Sequence, residues 1–242
     1  MSKEHSAKVR ETLVDNNDQT VIASVINVTK TYGETEALRG VSLGINRGTF
    51  TLFTGASASG KTTLMSMLHG IVRPDKGDVV LFGQSLDGLG EKQINRIRRK
   101  HIGLGFQDSL LDRSHTVADV MRQTARANRL EVALPRIRYL SLRFGMVNKL
   151  MTETGSLSGG EKMRTSMMRA LATEPDLILL DEPAGAVDTK GKIAAMEILR
   201  DITLEEQSTV VMITHDPVIA RPYADHEFVF ESGKLIDSIN FN

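Results

Sequence analysis

A chain of 242 residues is long enough for one large α/β domain, or a core domain carrying a smaller insertion, and too short for two comfortable ones. With 40% hydrophobic and 25% charged residues it has the make-up of an ordinary globular protein, and Lys+Arg of 30 against Asp+Glu of 30 leaves no global field to draw it onto nucleic acid or an anionic membrane. It has no cysteine, which excludes a disulfide framework or a thiolate metal site and fits a reducing, cytoplasmic setting.

Residues 1–20 are polar and aperiodic and read as a tail without the apolar core of a secretory signal. No run of about 18 apolar residues follows, so work on a membrane needs another chain to span it. Strands are expected at Val21–Val28, Phe50–Phe53, Val79–Leu81, Leu177–Leu180, Thr209–Ile213 and Glu227–Phe230, and helices at Gly60–His69, Glu91–Lys100, Gly159–Ala172 and Lys190–Leu204. That alternation implies a mainly parallel sheet flanked by helices. From Thr116 to Met151 the rhythm breaks into helical composition, which marks an inserted helical subdomain. Its Arg122, Arg126, Arg129, Arg136, Arg138 and Arg143 read as a solvated face, because no aromatic residues interleave with them as a nucleic-acid site requires.

The strand at Phe50–Phe53 runs into Gly55-Ala56-Ser57-Ala58-Ser59-Gly60-Lys61-Thr62-Thr63, a P-loop pattern in the order strand, loop, helix. Small residues let successive N–H groups and the positive helix end converge on phosphate oxygens. Lys61 is expected to reach the β and γ phosphates, and Thr62 to bind Mg²⁺. Further on, Asp176-Leu177-Ile178-Leu179-Leu180-Asp181-Glu182 is an apolar strand ending in two carboxylates. Four apolar positions in a row mean burial on both faces, and the acids then sit at the ligand-binding end of the sheet. Asp181 suits the Mg²⁺ shell, and Glu182 is placed to polarise a water for attack on the γ-phosphate. Pro183 follows directly, so a loop fits better here than a helix cap.

Between these elements stands Leu157-Ser158-Gly159-Gly160-Glu161, with Ser158 as a helix N-cap and the N–H groups of Gly159 and Gly160 free for phosphate. At this string the sequence resembles the ABC ATPases, and the resemblance runs from about Ile26 to Lys234. It implies a P-loop NTPase fold with a RecA-like core over 21–107 and 152–242, an antiparallel β part, and a helical subdomain at about 108–151. It also implies a homodimer in which each ATP lies between the P-loop of one copy and the signature of the other, driving a separate membrane permease. Tyr32 resembles the aromatic residue that stacks on adenine, and Gln107 the glutamine that touches Mg²⁺ or the attacking water. Asp188 matches an aspartate that communicates across the dimer, and His215 a switch histidine at the γ-phosphate.

Arg98-Arg99-Lys100-His101-Ile102-Gly103 and Asp181-Glu182-Pro183-Ala184-Gly185 look like the subfamily of lipoprotein extraction, cell division and macrolide export (LolD, FtsE, MacB). Lipoprotein, peptide or drug export, or mechanotransmission, is therefore expected from the cytoplasmic face of the membrane. A regulatory ATPase that activates an extracytoplasmic enzyme and a soluble non-transport ABC ATPase are the alternatives. Departures from the family pattern are Ala58 for Gly, Ala184 and Ala186 for Thr and Asn, and Glu161 and Lys162 for glutamines. If the Ala58 position needs positive φ, alanine costs about 1 kcal/mol there.

Overall fold

The computed structural model describes residues 20–106, 111–127, 134–183 and 187–241. Ten strands are present among them: β1 (Val21–Tyr32), β2 (Thr35–Asn46), β3 (Phe50–Gly55), β4 (Lys76–Leu81), β5 (Gln84–Ser85), β6 (Ile102–Phe106), β7 (Leu177–Asp181), β8 (Thr209–Ile213), β9 (His226–Glu231) and β10 (Lys234–Asn240). The helices are α1 (Lys61–Leu68), α2 (Glu91–His101), α3 (Val117–Ala127), α4 (Leu134–Arg143), α5 (Gly159–Leu171), α6 (Thr189–Glu206) and α7 (Pro217–Ala220).

The larger sheet runs β10-β9-β3-β8-β7-β6, parallel except at its β10 edge, and the smaller sheet runs β2-β1-β4-β5 with antiparallel pairing. Alternation along the strands explains how the layers join. Ile178 and Leu180 of β7 pack with Phe50, Leu52 and Met212 into a core shared with α5, α6 and the helices α3 and α4. Leu177 and Leu179 point the other way and join Phe53, Val211 and Ile213 in a core closed by α1 and the small sheet. The central strands are buried on both faces because each supplies side chains to two cores.

Two strands inside these sheets carry weak sequence signals. In β2 the core residues Leu38, Val41, Leu43 and Ile45 are diluted by Gly40 and Gly44, which hides the alternation. In β6 glycine is required by contact: a Cβ on Gly103 would meet the Ala170 carbonyl oxygen of α5 at 2.0 Å. The strand lies directly against a helix backbone, so low β-propensity is the result of close packing.

Backbone bonds zip the ends of the segment that holds α3 and α4, with Val117 N–H donating to the Thr152 carbonyl at 3.1 Å and Thr154 N–H to His115 at 2.9 Å. Two of its arginines depart from the expected solvated face. Arg136 keeps only 10% of its side chain exposed and donates to Glu206 at the end of α6 at 3.0 Å, and to the Leu171 carbonyl at the end of α5 at 2.6 Å. Arg143 donates to Glu205 at 2.8 Å. These two bolt α4 onto α6, whereas Arg126 and Arg138 are exposed as expected and Arg129 lies outside the described residues.

Candidate functional site

The loop after β3 is wedged against β9. A Cβ on Gly55, whose φ is 131°, would sit 2.0 Å from the Phe230 carbonyl oxygen, so only glycine fits at the loop entrance. Ala58 has φ 60°, in the left-handed region, so the strain anticipated at that position is present. Ala56, Ser57 and Ala58 are exposed, Ser59 is buried and Gly60 half-buried, and α1 starts at Gly60 without any side-chain cap bond. The first N–H groups of α1 therefore remain available to an anion.

Lys61 is buried, and its ammonium donates to the Gly55 carbonyl at 2.9 Å, the Ala56 carbonyl at 2.7 Å and Ser59 Oγ at 3.0 Å. Burial lowers its pKa, and the negative charges of Glu182 and Asp181 pull it back up. A partly desolvated cation held on the loop's own oxygens is poised to exchange them for phosphate oxygens. Thr63 is half-buried behind it in the first turn.

Asp181 ends β7 and accepts a hydrogen bond from the Thr62 hydroxyl. Burial raises its pKa, and the neighbouring Glu182 adds to the rise. Thr62, Lys61 and His215 oppose it. A hydroxyl and a carboxylate held together give hard oxygen donors, and the described residues contain no group of three or more acidic, His or Cys side chains that could form a metal cage. That donor set suits Mg²⁺, which retains waters and shares phosphate oxygens, better than an ion that demands a full protein shell.

Glu182 follows with φ 48°, an outlier that costs about 1–3 kcal/mol in a non-glycine residue. Its N–H donates to the Ile213 carbonyl at 3.0 Å, and its carboxylate is in contact with Nε2 of His215, just past the end of β8. Lys192 and Asp216 pair at 3.2 Å beside them, and with Met196 and Met212 they line a cleft of about 350 Å³ that leaves room for water next to Glu182. The sequence reading did not include the Lys192–Asp216 pair, since its members lie 24 residues apart in unrelated elements.

The remaining expected residues are spread more widely. Tyr32 is 48% exposed at the end of β1, with the Lys30 ammonium 5.6 Å from its ring centre and Lys30 itself fixed by Asp75 at 2.7 Å. Ser158 and Gly159 are exposed and Gly160 half-buried at the start of α5. There Ser158 Oγ accepts from Glu161 N–H at 3.3 Å, while the Glu161 carboxylate accepts from Ser158 N–H at 2.9 Å. Asp188 caps α6, accepting from Gly191 N–H at 3.1 Å. Gln107 lies outside the described residues, as do Ala184, Gly185 and Ala186. The strand before Gln107 ends at Phe106, in register with Asp181.

Four similarities bear on this geometry. The family model described as ABC transporter matches residues 38–185. The ABC transporter ATP-binding protein YxdL of Bacillus subtilis is 34% identical over 220 residues, covering 89% of this chain and 85% of YxdL. The methionine import ATP-binding protein MetN of Rhizobium etli is 33% identical over 222 residues, and this chain spans 60% of its length. Among solved structures, the dimeric post-hydrolysis state of the ATP-binding cassette MJ0796, bound to ADP and Pi, superposes with a TM-score of 0.82 at 29% identity. That match covers 91% of this chain and 99% of MJ0796.

Proposed function

This chain belongs to the ABC transporter family and is its ATP-binding, ATP-hydrolysing type of subunit, and on that premise we propose that two copies close over two ATP molecules and pass the work to a separate membrane protein. The observation that carries the catalytic part is the convergence of Lys61, the Thr62–Asp181 pair and the Glu182–His215 pair at the ends of β3, β7 and β8.

Lys61 and the N–H groups of residues 56–63 bind the phosphates, and Tyr32 offers its exposed ring to the base. Thr62 and Asp181 would hold Mg²⁺, with Gln107 as a further contact, and a bound ion would supply charge neutralisation at the phosphate oxygens. Glu182 orients a water from the adjoining cleft and takes its proton. His215 holds that carboxylate in place and contacts the departing phosphate group. The exposed Ser158, Gly159 and Gly160 bind the nucleotide of the second copy, with Asp188 nearby across the interface. The dimeric MJ0796 structure supports this arrangement.

No helix among the described residues is long and apolar enough to cross a membrane. We place the chain on the cytoplasmic face, attached through a permease. The helical subdomain of about 108–151 moves against a core of 21–107 and 152–242, and a groove of about 490 Å³ between them supports docking there. Ile71 and Leu104 give it an apolar floor, and Arg98, Arg99 and Arg169 line it. No carboxylate among the described residues pairs with Arg169, and burial lowers its pKa. An amphipathic segment with acidic residues matches that lining. The resemblance to LolD, FtsE and MacB favours lipoprotein, peptide or drug export, or mechanotransmission, as the work done.

The test is Glu182→Gln. ATP binding persists, an ATP-dependent dimer appears in sedimentation, and turnover falls by at least about 100-fold. Near-normal turnover removes Glu182 from its role, and an ATP-loaded variant that stays monomeric beside its permease overturns the shared site.

A further inference from the structure

Glu227 is a carboxylate with no exposed surface, set in the interior of the larger sheet. Its strand, β9, is the parallel neighbour of β3, with Leu52 opposite Glu227 and Gly55 opposite Phe230. Thr54 Oγ1 donates to Glu227 Oε1 at 2.6 Å. Arg221 closes the other side, donating from Nε to Oε2 at 2.8 Å and from Nη2 to Oε1 at 3.0 Å. The Arg221 side chain is 44% exposed and belongs to the short 3-10 turn Arg221–Tyr223, reached from His215 through α7. A chain of polar contacts thus runs from the surface at Arg221, through Glu227, to the residue before Gly55, whose carbonyl holds the Lys61 ammonium.

A buried ion pair seldom stabilises a fold more than well-packed apolar groups of the same volume, so stability alone does not account for a carboxylate here. Its geometry does suggest a purpose. Gly55 is pressed against the β9 backbone so closely that a Cβ has no room. Thr54, pointing to the opposite face, is tied to the same strand through its side chain. The end of β3 is therefore fixed to β9 on both faces at the point where the chain leaves the sheet and turns into the phosphate loop.

We propose that Glu227, held by Arg221, is a positioning residue that fixes Thr54 and so sets the path of Gly55 and the Lys61 ammonium toward the nucleotide phosphates. The inference rests on ATP binding at the loop, which wild-type titration with fluorescent methylanthraniloyl-ATP and Mg²⁺ checks independently. Thr54→Val removes the hydroxyl while keeping the shape. It is expected to weaken nucleotide binding about tenfold and to raise KM for ATP by the same factor, with kcat within about twofold, because small misplacements at a binding loop are amplified. Thr54→Ser restores the hydroxyl and returns affinity to within about twofold of wild type. The double variant Thr54→Val/Glu227→Leu replaces the polar contact by an apolar one that keeps the strands packed. It is expected to retain the wild-type melting temperature within a few degrees and still bind about tenfold more weakly. Wild-type affinity in Thr54→Val and in the double variant overturns the proposal and leaves Glu227 a purely structural group, as does a Thr54→Ser variant no better than Thr54→Val.

Discussion

Two helices of this chain start on turns made of glycine and serine, and their first turns are finished in opposite ways. At α1, Gly60 offers no side-chain cap, and Lys61 stands beside N–H groups with no intrahelical partner. At α5, Ser158 and Glu161 close a reciprocal capping box, and the glutamate also meets Lys149 at 3.0 Å. The first end is left open with a cation in it, and the second is already compensated by an anion at the positive end of its dipole. Similar composition therefore gives one end that is open to an anion within a single chain and another that would have to admit one past a carboxylate.

The largest test of that contrast is Lys61→Ala. Removing the cation from the open end should weaken ATP binding more than about 100-fold and leave turnover undetectable, as read by labelled-ATP titration. Unchanged affinity would mean that the loop is an ordinary turn.

Next in size is Arg136→Ala, which acts at the far end of the closed helix. Arg136 donates to Leu171, the last residue of α5, and pairs with Glu206 in a nearly buried position. Its loss leaves a carbonyl and a carboxylate without their partner, and about 3 kcal/mol of stability should go with it in denaturant titration. A loss below about 1 kcal/mol would return Arg136 to the solvated role its sequence context suggests.

How far these features were legible follows from their range in sequence. The glycine-rich turn between β3 and α1, the strand end at Asp181 and the Ser158 cap are each written in about ten consecutive residues, so pattern alone located these local structures. The strands β2 and β6 were not, because their glycines erase the alternation, in β6 as a result of close packing against α5. Arg136 looked like any surface arginine, since its partners lie 35 and 70 residues away. Glu227 opens an expected strand, and its only signal is a carboxylate standing directly before the apolar run Phe228-Val229-Phe230. Its partner Arg221 is a near neighbour in the chain, but Thr54 lies 173 residues away and is brought to it by β9 lying beside β3.

A subtler test is Glu161→Gln, which keeps the cap and removes the charge. The pKa of Glu161 is lowered from 4.5 to about 2, chiefly by the Ser158 N–H and then by Lys149. A depressed folded-state pKa means this stabilisation is present above about pH 4.5 and fades as pH falls toward 2. The glutamine variant should lose less stability than wild type between those values in thermal unfolding. In a Glu182→Gln background it should also tighten ATP-driven dimerisation several-fold, since one repulsion at the shared phosphate is gone. Equal dimer affinity would show that Glu161 lies out of reach of the partner's nucleotide.

The smallest effect is expected at Ala58, on the open side of the comparison. The residue adopts φ 60°, where a Cβ meets the following carbonyl at a cost of about 1 kcal/mol, and its methyl group is exposed and fills no cavity. Ala58→Gly removes that strain without losing packing, although glycine gives back part of the gain through the added freedom of the unfolded chain. The net stabilisation should stay below about 1 kcal/mol, a rise of at most a few degrees in melting temperature for a protein of this size. Because the strain sits in the loop proposed to line the phosphates, ATP affinity should rise by no more than about threefold. A fall in melting temperature would mean that the methyl group makes contacts that outweigh the backbone strain, and that the open end of α1 depends on alanine to keep its shape.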